Sequence, residues 1–339
     1  PERRLHRAFE QFAREAASEP QAARFALLEP FGAGRAAIAR MDHGRAMFEG
    51  LIAASVGTPC RGVTLSPAIA KGIVGGVERV SRLHLLAGRG DLLATKADEL
   101  SAWVSCYRPW SHAPVEAPEA VTRLPGGLRC SDERLRILRA AAAISAKDGY
   151  LALTAGRITR LAEVSEESFA SFYGGTDAIR ACFLASLDLL GVEALVCAAT
   201  ASRDAPDWPE GVRSGIAALL HHVAAHPFLG PVAFIEIFSL GPSGIARGSK
   251  LLRRFTDQLV KALPDHQRPS QLVAEAIVGA IWAVVHNYVV RHRAHLLPEL
   301  ADDAAYLALA PLIGHEAAVQ LLTRDRRGVL VEDGPPRPS

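Results

Sequence analysis

The stretch that decides the fold runs from Ser131 to Asp188: SDERLRILRAAAAISAKDGYLALTAGRITRLAEVSEESFASFYGGTDAIRACFLASLD. Ser131 or Asp132 can cap a helix whose apolar face is Leu135, Leu138, Ala142 and Ile144, and Gly149 is placed to end it. Thr154 can cap a second, short helix that carries Ile158 and Leu161 inward. Ala162–Glu163–Val164–Ser165 then makes a tight turn with Ser165 as the next cap, although Ser168 stands where a capping box wants Glu or Gln. A third short helix is expected from Glu166 to Phe172, and Asp177 opens a long one towards Ala199. Short helix, turn and short helix on a three-helix core is a helix-turn-helix arrangement, whose second member can enter a major groove.

Working outward, strand signals are nearly absent, and apolar residues recur at helical spacing, as in Leu5–Phe9–Phe12. An internal repeat brackets the module. With Glu19–Pro20 set over His226–Pro227, a shift of 207 (227 − 20), Ala26 meets Ala233, Glu29 meets Glu236 and Phe31 meets Phe238. Under the same shift Ile38–Ala39–Arg40 falls on Ile245–Ala246–Arg247 and Phe48 on Phe255. Further on, Ile73–Val74–Gly75–Gly76 falls on Ile277–Val278–Gly279–Ala280 at a slightly smaller shift. The expected plan is all-α: a helical body over 1–110, a proline- and glycine-bearing linker over 111–130, the helix-turn-helix over 131–190, a second body over 191–323 and a frayed tail over 324–339.

Bulk properties narrow the function. Among 339 residues, 38 basic and 36 acidic side chains give +2, so net charge announces neither a nucleic-acid nor a membrane partner. The longest apolar run, Ala276 to Val285, is bounded by Glu275 and His286 and is too short to cross a bilayer. Five scattered cysteines without a CxxC argue for a reducing compartment, so a cytoplasmic protein is expected. No GxSxG, P-loop, HExxH or GxGxxG fingerprint is present, which argues against an enzyme and implies no cofactor. His222 with His226, and His292 with His295, lack a placed carboxylate or thiolate, so no metal is expected. Glu29 and Glu236, matched across the repeat in apolar surroundings, could anchor a ligand or make a structural hydrogen bond.

The central segment resembles the tetracycline-repressor (TetR) family of transcriptional regulators. The match runs through Ile137–Leu138–Ala141–Ala142, Gly149–Tyr150, Leu153–Thr154, Ile158, Leu161–Ala162, Val164–Ser165, Phe169 and Tyr173, ending at Asp177–Ala178–Ile179. The resemblance implies that the repeated bodies are ligand-binding and dimerisation domains. It also implies a further DNA-binding domain upstream of Pro1. Three positions depart from the family: Glu163 stands for the usual turn glycine, Ala170 for a tyrosine and Thr176 for a phosphate-holding lysine. The expected recognition helix opens with Glu166–Glu167 and has no Lys or Arg, and residues 131–190 carry seven bases against eight acids. Phosphate neutralisation supplies much of DNA affinity, so two readings stand open: a DNA reader, or a vestigial module in a ligand-sensing or protein-interaction protein.

By the resemblance, the DNA-contacting candidates are Thr154, Arg157, Ser165, Glu166, Glu167, Ser168, Ser171 and Tyr173. A small-molecule effector would meet Phe234, Phe238, Trp282 and His286 in the second body, with Phe228 and Tyr288 nearby, or Phe25, Phe31, Met47 and Phe48 in the first. Gly72, Gly76, Ala276 and Ala280 form small-residue pairs suited to close helix approach. They suit either an interface or close packing inside one domain; the resemblance implies that the last helices of each sensor body pair, as a pseudo-dimer within one chain, with Ser66–Leu86 against Gln271–His292, or else as a homodimer.

Overall fold

The computed structural model describes residues 2–28, 35–56, 64–110 and 131–329, and among them every regular element is helical. The first body consists of α1 (Glu2–Ser18), α2 (Pro20–Leu27), α3 (Arg35–Val56), α4 (Pro67–Leu86) and α5 (Ala97–Ser105). The central module is α6 (Glu133–Asp148), α7 (Ala155–Ala162) and α8 (Glu166–Phe172). There follow α9 (Ala178–Arg203), α10 (Trp208–Ala225), α11 (Leu229–Phe234), α12 (Pro242–Lys261), α13 (Gln271–Val290), α14 (Ala301–Ile313) and α15 (His315–Val329). The expected linker lies outside the described residues. The tail expected from Arg324 instead continues α15 to Val329.

The caps explain where the module's helices begin and end. Asp132 accepts from the Leu135 N–H at 3.2 Å, Thr154 from Arg157 at 3.2 Å and Ser165 from Ser168 at 3.0 Å, each meeting an N–H that the first turn leaves unpaired. Gly149 ends α6 at φ 88°, where a side chain would be strained. Glu163 takes the left-handed conformation at φ 54° without being glycine. The incomplete capping box has its own use: the Ser168 hydroxyl donates to the Glu133 carboxylate and ties α8 to the start of α6. On α7 the inward positions are Ile158, Thr159 and Ala162. Leu161, expected inward, points away from them and is part-exposed, because an eight-residue helix buries only one narrow stripe.

The two bodies meet where α4 crosses α13. The helices match in length: Pro67–Leu86 and Gln271–Val290 are 20 residues each, beginning 204 positions apart (271 − 67). A Cβ built on Gly75 would lie 2.1 Å from the Ala283 Cβ, and one on Gly279 would lie 2.4 Å from the Arg79 Cβ. Both glycines would also come within 3.2 Å of the other's carbonyl oxygen, so the backbones touch at this point. Of the expected small-residue set, Gly76 faces the Ala276 carbonyl across the crossing, whereas Gly72 packs on Leu307 of α14. Gly75 and Gly279, not among that set, mark the centre of the contact.

Around the crossing, α5 and α14 complete a four-helix layer. Trp103 and Tyr107 of the first body pack edge-on with centroids 5.4 Å apart, and Tyr107 donates to the Leu307 carbonyl at 2.8 Å. Tyr306 accepts from the Arg108 N–H at 3.0 Å and pairs with His315 at 2.7 Å. Burial pushes the Tyr306 phenol up to about 12, so it stays a neutral donor and acceptor. By length and apolar composition α9 and α13 could each cross a membrane, contrary to the reading of Ala276–Val285 alone. In the fold, α13 is spent on burial among α4, α12 and α14.

Gly75→Val is expected to lower the unfolding free energy by about 1–3 kcal/mol or more in urea titrations, since overpacking must separate two backbones. Gly44→Ala, where a Cβ meets nothing within 4 Å, is the matched control and is expected to stabilise slightly.

Candidate functional site

The outer surface of the module is set by α8. Glu166, Glu167, Ala170, Ser171 and Phe172 are exposed on it, while Phe169 points into the core. Several expected DNA-contacting groups have internal duties. Arg157 pairs with Asp148 and donates to the Ala152 carbonyl at 3.1 Å. Thr154 and Ser165 are caps, Ser168 holds Glu133, and Ser171 donates to the Ser168 carbonyl at 2.7 Å. Tyr173 is buried against Phe169, with centroids 5.7 Å apart, and supports α8 from beneath rather than facing outward. Leu151, 90% exposed, adds an apolar side chain to the same module.

In the second body a cavity of about 130 Å³ lies among α9, α10, α11, α12 and α13. Its lining is apolar apart from Ser202 and Gln258. Phe234 and Trp282, stacked with centroids 3.9 Å apart, form one wall. Gly191, Ala194 and Ala198 bring the second half of α9 to the opposite side. The first half of α9 belongs to the module's core, through Cys182, Phe183 and Leu187. The small residues on α9, with Gly211 and Gly215 on α10, leave the space that larger side chains would fill.

The other expected ligand residues are dispersed. Phe238 and Phe228 are half-buried and pack on the core without lining this cavity. His286 and Tyr288 line a second, polar cavity instead. In the first body Phe25, Met47 and Phe48 face solvent, Phe48 being 57% exposed, and Phe31 and Glu29 lie outside the described residues. Glu236 makes a structural bond: its carboxylate accepts from the Tyr150 N–H at 2.7 Å, joining the second body to the start of α7's lead-in turn. His222 and His226 stack with centroids 4.0 Å apart, and no cluster of three metal-ligating side chains occurs among the described residues.

One ion pair crosses between the bodies. Arg79 of α4 donates to Glu275 of α13 at 3.1 and 2.9 Å, with both side chains buried. Burial lowers the Arg79 pKa, an effect that Glu275 opposes. The His286 imidazole, in the second cavity, is driven down to about 3 by burial and then by Arg45, Arg82 and Lys71.

No family model matches the chain, and no curated protein matches it in sequence. Among solved structures, the chain is similar to the fatty acid degradation regulator FadR from Bacillus halodurans, at 17% identity over 51% of this chain and 96% of that one, with a TM-score of 0.46. It is also similar to the transcriptional regulator FadR from Bacillus subtilis, solved in complex with stearoyl-CoA, at 14% identity over 52% and 98% of the two chains, TM-score 0.45. A third is the TetR family transcriptional regulator PfmR from Thermus thermophilus, at 21% identity over 55% and 98%, TM-score 0.41.

The depressed His286 pKa has a defined consequence. The unfolded chain binds a proton on this imidazole below about pH 6.5 and the folded chain does so only near 3, so its contribution is complete above about 6.5 and declines as pH falls towards 3. Between pH 7 and pH 5 the wild type is expected to lose about 1–2 kcal/mol more stability than His286→Gln, by urea unfolding at each pH. Equal losses would show that the imidazole titrates normally in the fold.

Proposed function

We propose that this chain is a TetR-like transcriptional regulator in which a helix-turn-helix module is coupled to a small-molecule cavity. The observation that carries the reading is the division of α9: its first half lies in the module's core and its second half walls the apolar cavity. A ligand that displaces the α9 wall therefore moves the module's floor. The Glu236–Tyr150 hydrogen bond gives a second link, from the turn after α11 to the loop before α7. The lining favours an uncharged, apolar effector with at most one or two polar groups, which Ser202 and Gln258 can meet. The ordered sequence match through Ile158, Val164–Ser165 and Phe169, together with the capped short helices, supports the module as a DNA reader. The recurrence of helix bounds at α4 and α13 supports reading the two bodies as sensor domains of one design, paired within the chain.

A second reading is favoured by one feature, the surface of α8. Its exposed carboxylates, Glu166 and Glu167, would meet a phosphate-lined groove unfavourably, and Leu151 and Phe172 lie exposed in the same module. On this reading the module docks a protein and DNA is contacted elsewhere.

Selection from a random duplex pool at low salt separates the two. A DNA reader enriches a defined motif, and its affinity falls with salt at about one logarithmic unit per phosphate contact. Binding that is absent, or present without an enriched motif, favours the second reading. For the cavity, N-phenyl-1-naphthylamine, a neutral apolar probe, is expected to bind the wild type and to bind Ala194→Phe at least tenfold more weakly. If the effector and DNA are coupled through α9, each alters the other's affinity by the same factor. Glu236→Ala is expected to shrink that factor while leaving probe affinity intact.

A further inference from the structure

The second cavity, of about 300 Å³, opens between α3, α4 and α13, and the geometry of the crossing explains its origin. The glycine contacts pair position 75 with 283 and position 279 with 79. Since 283 − 79 and 279 − 75 are both 204, an approximate two-fold axis passes through the crossing and exchanges equivalent positions of α4 and α13. On one side of the axis Arg79 and Glu275 fill the space and cancel each other's charge. Their counterparts on the other side are Ala283 and Lys71, and both line the cavity. A methyl group stands where the first side has a guanidinium, and a cation stands where it has a carboxylate.

The remaining walls deepen the imbalance. Among the described residues, Arg45, Lys71, Arg82, Arg291 and Arg293 line the cavity against two carboxylates, Glu49 and Glu78. Glu78 takes two nitrogens of Arg45 at 2.7 and 2.6 Å and stands 3.7 Å from Arg82, and Glu49 accepts from Lys71 at 2.6 Å. Arg291 and Arg293 are exposed at the rim. Glu299 and Asp303 act on the Tyr288 phenol but do not line the space. From α13 the cavity receives no acid: its lining there is Trp282, Ala283, His286, Asn287 and Tyr288. His286, 8% exposed, presents its imidazole to this cavity.

We propose that this cavity binds a small polyanion, a molecule bearing a phosphate ester or two or more carboxylates, in place of the negative charge that Glu275 provides on the opposite side of the axis. Guanidinium groups match the oxygens of either class bidentately, and the neutral His286 has one N–H to donate. Such a ligand touches α3 and α4 of the first body and α13 of the second, so it strengthens the junction between them rather than either alone. Trp282 walls both cavities, which places the polyanion one side chain away from the apolar site. The proposal stands on the charge and shape of this cavity and does not depend on DNA binding.

Isothermal titration calorimetry of the full chain at low salt, with inorganic pyrophosphate and with citrate as separate probes, tests it. At least one probe is expected to bind with a Kd below about 1 mM, and the one that binds assigns the phosphate or the carboxylate class. Arg291→Ala with Arg293→Ala changes only exposed rim residues and is expected to weaken binding at least tenfold. Asn287→Asp, an isosteric change that adds a carboxylate to the wall, is expected to do the same without loss of helix content. Arg160→Ala with Arg203→Ala, on exposed positions away from the cavity, is expected to leave affinity within twofold. No binding of either probe, or equal weakening by the rim and distant pairs, would overturn the proposal while leaving the N-phenyl-1-naphthylamine result untouched.

Discussion

The contact on which the rest of the structure depends is the touching of two backbones at Gly75 and Gly279. No side chain separates α4 from α13 there, so their neighbours interlock at a fixed rotation. That rotation brings Trp103 over Gly76, Leu307 over Gly72 and Arg79 against Glu275. It also places Tyr107 and Tyr306 in one aromatic cluster at the end of the four-helix layer. Removing either partner of the Arg79–Glu275 pair would leave a charge buried beside this crossing, whereas the glycines set the distance that lets the pair form.

The crossing helices α4 and α13 match in length, and the residues on and around them differ in chemistry. Leu252, Trp282 and Val285 line the apolar cavity of the second body, and at the equivalent positions the first body has Arg45, Glu78 and Ser81. The Arg45–Glu78 ion pair thus stands at positions equivalent to part of the apolar wall of the second body. Phe48, equivalent to cavity-lining Phe255, is correspondingly exposed.

Much of this was legible in the residues because local chemistry fixed it. The caps at Asp132, Thr154 and Ser165 and the glycine at 149 set the module's helix ends almost to the residue, and the repeat located the helices that cross. Phe234 and Trp282 came forward only through the family resemblance, since aromatic residues at helical spacing are more often core filler. Other features depend on contacts that no local pattern encodes. Leu161 faces outward because α7 is too short to bury two stripes, and Tyr173 turns inward because Phe169 and α6 leave it room beneath α8. His286 belongs to the charged cavity only through Arg45, Lys71 and Arg82, which come from elements more than 200 residues earlier. The doubled glycine, Gly75–Gly76, held a signal for the crossing point that the small-residue spacing alone misplaced by one position. The membrane-length apolar content of α9 and α13 was likewise hidden by scattered charges that break the run in sequence, Asp188 and Glu193 on α9 and Glu275 on α13.

The claim most central to this account is that one chain supplies both halves of the α4–α13 junction. Multi-angle light scattering, followed by circular dichroism on serial dilution into the nanomolar range, addresses it directly. The account requires the mass of a single 339-residue chain with helix content independent of concentration. A particle of twice that mass whose helices melt as it dissociates would contradict it, because the crossing would then be made between chains.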